Sequence, residues 1–129
     1  MFRSASLLVW QRRWALLFGG LTLVTACLSL VPVQQLPSSI HFWDKAQHAL
    51  GFAALGGVGL LAFPQRPLRL LGGLMLFGVV IELAQAATGW REGDWLDGMA
   101  DGVGLAVGAL AWLGARGWLS RAADRRPGA

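Results

Sequence analysis

The chain has 129 residues, 55% of them hydrophobic and only 14% charged, with 18 glycines, 7 tryptophans and no tyrosine. Soluble domains carry about 25% charged residues, and the mean hydropathy of +0.53 fits one membrane-embedded domain of closely packed helices with tryptophan anchors. The net charge of +4 does not form a nucleic-acid surface, because the arginines stand at the ends of apolar runs. The lone Cys27 excludes an internal disulfide and a four-cysteine zinc site.

Residues 1–13 form a basic segment with Arg3, Arg12 and Arg13. An apolar run follows from Trp14 to Val33, about the 20 residues a helix needs to cross a bilayer. Val24-Thr25-Ala26-Cys27 loosely resembles a lipoprotein cleavage site, but the run continues through Val31, longer than a signal core needs, so an uncleaved span is expected. The next run is Ala46 to Phe63, interrupted only by His48 and ended by Pro64 and Pro67. A third covers Leu68 to Thr88, with Arg69 at its start and Glu82 near its end. The fourth covers Trp95 to Ala115 and carries Asp97 and Asp101 in its first two turns. Residues 116–129 read as a polar, disordered basic tail.

The expectation is therefore an all-α integral membrane four-helix bundle, with residues 14–115 as the domain and spans at 14–33, 46–63, 68–88 and 95–115. Its orientation follows from the arginines. With both termini inside, Arg3, Arg12, Arg13, Arg66, Arg69, Arg116, Arg121, Arg125 and Arg126 are cytoplasmic and only Arg91 is outside, as the positive-inside rule requires. Trp10 and Trp118 then mark the inner interface, and Trp43, Trp90 and Trp95 the outer one.

Polar residues gather at the outer ends. Of the 7 acidic residues, Asp44, Glu82, Glu92, Asp94, Asp97 and Asp101 fall in the outer half of this topology, leaving Asp124 alone. Asp44 and His48 are one helical turn apart and share a face, as do Glu82 and Gln85, and Asp97 and Asp101. A carboxylate facing lipid costs on the order of 2.5–3.5 kcal/mol on insertion scales, so these groups are expected to face one another inside the bundle. They repel unless Lys45, Arg91, a protonated His48 or a bound metal stands between them. Gly78, Gly104 and Gly108 continue the same faces as small residues that let helices approach.

The stretch Asp44-Lys45-Ala46-Gln47-His48 with Phe52 resembles the D-K-x-x-H motif of VanZ-like membrane proteins. Glu82-Leu83-Ala84-Gln85 resembles their E-x-x-Q. Arg91, Asp97, Asp101 and Gly104 resemble their R-x5-D-x3-N/D-x2-G block. The resemblance spans about Phe42 to Gly108, in order, and departs at Asp101, where many relatives carry asparagine. It implies a cell-envelope membrane protein with a polar site at the outer leaflet and a link to glycopeptide susceptibility; it implies no particular reaction.

Three kinds of role suit the cluster. In the first, the site binds or processes a phosphate-bearing envelope lipid or lipid-linked cell-wall precursor. Arg91 and Lys45 hold the phosphate, and His48 works as acid or base with Glu82. His48, Glu82, Asp97 and Asp101 are the catalytic candidates, and Asp44, Lys45, Gln85 and Arg91 the substrate-binding ones. No serine or cysteine adjoins His48 as a nucleophile. In the second role the polar groups only tie helices together, with Asp97 capping the fourth helix or pairing with Arg91, and Glu92 and Asp94 as loop charges. In the third, His48, Glu82, Asp97 and Asp101 ligate magnesium, calcium or manganese. No cofactor beyond that is implied.

Overall fold

The computed structural model describes residues 2–32, 44–90 and 94–125. All regular structure among them is helical: α1 (Phe2–Leu30), α2 (Asp44–Ala62), α3 (Pro67–Thr88) and α4 (Trp95–Asp124). The breaks fall where the chemistry places them. Pro67 opens α3 at its first turn, where a missing N–H costs nothing. Gly89 closes it in the left-handed region at φ 76°, a conformation that costs other residues a Cβ clash. Asp94 caps α4 by accepting from the Leu96 N–H at 2.9 Å.

Three of the four helices are long and apolar enough to cross a membrane: α1 over Leu7–Leu30, α3 and α4. α2 is not among them. It has 19 residues, and its first turns spend Asp44, Lys45, Gln47 and His48 on polar groups. What carries α2 is packing. It makes the most extensive contact in the molecule with α4 and also touches α1 and α3; α3 touches α1 and α4 in turn. These neighbours describe a four-helix arrangement in the cyclic order α1, α2, α4, α3.

The α2–α4 seam is built on small residues. The carbonyl oxygen of Ala49 occupies the place a Cβ at Gly104 would take, and that of Ala53 does the same one turn on at Gly108. Only glycine lets the two backbones approach this closely. Phe52, Leu55, Leu74, Ile81 and Leu105 form the buried core, with Phe18, Leu21, Leu70, Leu71 and Phe77 packed around it. The outward faces stay apolar: Leu16 and Leu23 on α1, Leu50 on α2, Leu76 and Leu83 on α3, and Val103 and Leu110 on α4 are all exposed. A water-facing bundle would carry charge at such positions.

Two boundaries differ from the sequence expectation. α1 begins at Phe2 rather than Trp14, so the basic stretch continues the helix. α4 runs on to Asp124 through residues expected to be a disordered tail. Arg116, Leu119, Arg121, Ala122 and Ala123 are good helix formers, and Arg116 lies 4.5 Å from the Trp112 ring centre as a cation–π contact.

Candidate functional site: a buried histidine–carboxylate cluster

One end of the bundle brings together side chains from α2, α3 and α4. On α2, Lys45 and His48 lie nearly one turn apart and face α4. Asp97 and Asp101 lie one turn apart on α4 and face back. The pairs mesh in register: Lys45 Nζ donates to Asp97 Oδ1 at 3.0 Å, and His48 Nδ1 lies 2.9 Å from Asp101 Oδ1. The glycine seam begins just below, at Ala49 and Gly104, so close backbone approach sets these distances.

His48, Asp97 and Asp101 are 8%, 5% and 1% exposed. Taking an ion from water into such a setting costs several kcal/mol unless it is paired. A carboxylate only accepts, so an ionised Asp101 fixes the ring proton on Nδ1 and turns Nε2 toward Asp97, whose Oδ2 is 4.0 Å away. Asp101 fits because position 78 on α3 is glycine: a Cβ there would stand 2.6 Å from Asp101 Oδ2.

Glu82 joins from α3. Its Oε2 accepts the backbone N–H of Asp94 at 2.9 Å. Its other oxygen, Oε1, is buried and has no hydrogen-bond partner among the described residues, and the same is true of Asp101 Oδ2. One ligand atom each from His48, Glu82 and Asp97 lie within 4.8 Å of one another, the spacing of a cation site.

Asp94, expected as a loop charge, is a working part of the cluster. Besides capping α4 it accepts from Lys45 Nζ at 2.6 Å. The lysine ammonium first, and the Leu96 N–H second, hold its carboxyl below the usual range. Asp97 neither caps the helix nor is needed for that purpose, since Asp94 does so. The signal was present in the sequence: an aspartate directly before the apolar Trp95-Leu96 is a capping position.

The remaining candidates divide. Gln85 is 1% exposed but turns away from the cluster; its amide donates to the Ser29 carbonyl at the end of α1, at 2.9 Å. Arg91 and the Asp44 side chain lie outside the described residues.

Four carboxylates (Glu82, Asp94, Asp97 and Asp101) therefore surround Lys45 and His48. With its carboxylates ionised, the cluster of described residues is net negative whichever form His48 takes. Its chemistry is that of an oriented imidazole with acidic neighbours, suited to moving a proton or holding a cation. Searches against models of known families, curated proteins and solved structures find no match for this chain.

Proposed function

We propose that the chain is a VanZ-like inner-membrane protein of the bacterial cell envelope, crossing the bilayer four times with both termini in the cytoplasm. Its outer-leaflet cluster is a site that binds or processes a phosphate-bearing envelope lipid or lipid-linked cell-wall precursor. The topology rests on the arginine distribution and on the apolar outward faces. α2 crosses as the fourth span because α4 covers its polar end.

The observation that carries the reading is the buried His48–Asp101 pair at 2.9 Å, with Asp97 and Glu82 around the imidazole. Interhelical hydrogen bonds contribute only about 0.6 kcal/mol each on average. Burying His48, Asp97 and Asp101 in one place, with Glu82 half-buried beside them, is a poor way to gain so little. Intramembrane ionisable residues mark functional sites by default. With Nδ1 held by Asp101, the imidazole has Nε2 alone to offer at the headgroup layer, where it can either hold a cation or exchange a proton with a water or hydroxyl.

The competing reading is structural, and the Gln85–Ser29 bond favours it, since that polar contact joins α3 to α1. One experiment separates the two. Full-length protein in nanodiscs is titrated with a polyprenyl phosphate and, as control, a zwitterionic phospholipid, and binding is read by native mass spectrometry. Selective retention of the polyprenyl phosphate, weakened at least about tenfold in folded His48→Ala, supports the site. Equal retention of both lipids, or an unchanged preference in His48→Ala, refutes it. Reporter fusions at Gln65 and in residues 33–43 test the topology: activity of a cytoplasmic reporter at Gln65 and of an external one in 33–43 is expected.

A further inference from the structure

We propose that His48, Glu82 and Asp97 hold one divalent cation of the manganese or magnesium type, with Asp101 as the residue that positions the imidazole. The inference deepens the proposed function, and rests on it in taking the cluster as a ligand site.

The first argument is distance. Two ligand atoms on one ion, each about 2.1 Å from it, are at most about 4.2 Å apart. His48 Nε2 and Asp97 Oδ2 are 4.0 Å apart. The full set lies within 4.8 Å, so each donor closes on a central ion by about 0.7 Å or less.

The second is the division of labour within each side chain. Asp97 gives Oδ1 to Lys45 and presents Oδ2 to His48. Glu82 gives Oε2 to the Asp94 N–H. His48 gives Nδ1 to Asp101. Each donor is held by one atom and turned by another, the arrangement in which outer partners orient metal ligands.

The third is independent of these bonds. Glu82 Oε1 and Asp101 Oδ2 are sealed from solvent with no partner among the described residues, and Asp101 is 1% exposed. An unpaired buried acceptor costs about 1–3 kcal/mol, and more when charged. A cation beside Glu82 satisfies its second oxygen and offsets the negative charge that bears on Asp101.

The fourth comes from the ligand. A phosphate is repelled by a net negative cluster, and Lys45 is already engaged by Asp94 and Asp97. A divalent ion reverses the local charge and gives a phosphate oxygen a place to bind. One imidazole with two carboxylates suits manganese or magnesium better than a structural zinc, whose sites are rich in cysteine and histidine.

The test uses tag-free, detergent-purified full-length protein and Mn²⁺ alone, followed by electron paramagnetic resonance. Expected are saturable binding of one ion per chain and a nitrogen coupling from a single imidazole. The coupling is lost in His48→Gln. Glu82→Gln and Asp97→Asn weaken binding by at least about tenfold, and Asp101→Asn by about tenfold with the nitrogen coupling retained. Should a variant fail to fold, the wild-type nitrogen coupling decides alone. No saturable binding at millimolar Mn²⁺, or binding without nitrogen coupling, overturns the proposal. A second titration with polyprenyl phosphate, with and without Mn²⁺, keeps the two readings apart. A nitrogen-coupled Mn²⁺ site that leaves lipid binding untouched supports the cation and refutes the phosphate role. Lipid binding that persists in chelator, with no Mn²⁺ site, refutes the cation and leaves the lipid site standing.

Discussion

Replacing Gly104 by alanine tests whether the seam between α2 and α4 sets the site. The new methyl would fall on the Ala49 carbonyl oxygen, with the carbonyl carbon at 2.9 Å and Ala49 Cα at 3.0 Å. Ordinary contact begins near 3.4 Å, and the oxygen is the nearest atom, so α2 and α4 must part there by about 1 Å or more. The obstacle is backbone, and no rotamer change relieves it. Overpacking costs about 1–3 kcal/mol, and a rigid neighbour puts this case in the upper half, about 2–3 kcal/mol. His48 directly precedes Ala49, so the same parting stretches the 2.9 Å His48–Asp101 contact beyond good hydrogen-bond length. The assay is reversible unfolding in mixed micelles, followed by tryptophan fluorescence and circular dichroism. Gly114→Ala on the same helix is the control: nothing lies within 4 Å of a Cβ there, so a gain of up to about 1 kcal/mol from helix propensity is expected. If Gly104→Ala unfolds within about 0.5 kcal/mol of wild type, or Gly114→Ala is as damaging, the seam does not set the site.

Gly78→Ala should act on the site from the other side. Its methyl would stand 2.6 Å from Asp101 Oδ2 and 3.4 Å from the Phe52 ring, pushing the carboxylate off His48; changed His48 ring chemical shifts by NMR check this, and unaltered ones refute it. Gln85→Ala should loosen α1 alone, by about 0.6 and at most about 1.7 kcal/mol, the measured range for such bonds in a membrane protein. A spin label on the exposed Cys27 should report faster motion while the environment of His48 stays unchanged. Asp94 gives a pH signature. Its folded carboxyl titrates below the usual value of about 3.9, because Lys45 and the Leu96 N–H favour the charged form. The stability it supplies is thus fully present above the ordinary carboxylate range and is lost as pH falls through the lower folded value. Thermal midpoints of wild type and Asp94→Asn should differ near neutral pH and converge in stronger acid; a constant difference across that window counts against the clasp.

Much of this was legible in the sequence because it rests on periodicity and punctuation. Pro64 and Pro67 mark a break in the apolar runs, and the one-turn spacing of Asp97 and Asp101 places both on one helix face. His48, Glu82, Asp97 and Asp101 do converge as that spacing requires. Which partner each would choose was not legible. The Lys45–Asp97 and His48–Asp101 pairings depend on the register of α2 against α4, which the Gly104 and Gly108 contacts set across more than 50 residues of chain. Gln85 shares a helix face with Glu82 in the sequence, yet one turn is enough to carry it out of the cluster to Ser29. Asp94 was hidden by its place in a connection, where its capping role outweighs its appearance as a loop charge. The extension of α4 to Asp124 departs from the disordered tail that its polarity suggests, because polar residues extend helices readily beyond an apolar core.

The tight pairing of α2 with α4 also has a consequence for biogenesis. α2 is the helix least able to reside in lipid on its own merits, and the surface that shelters its polar end is synthesised only after all of α3 has been made. In the proposed topology, a ribosome-bound chain stopped before Asp94 holds a histidine and a lysine at the bilayer edge with their acceptors Asp94, Asp97 and Asp101 still unmade. Such a truncated chain should be held by the insertion machinery or degraded, and co-expression of the missing helix as a separate piece should rescue it. In that topology the last helix is the one that makes the second a permanent resident.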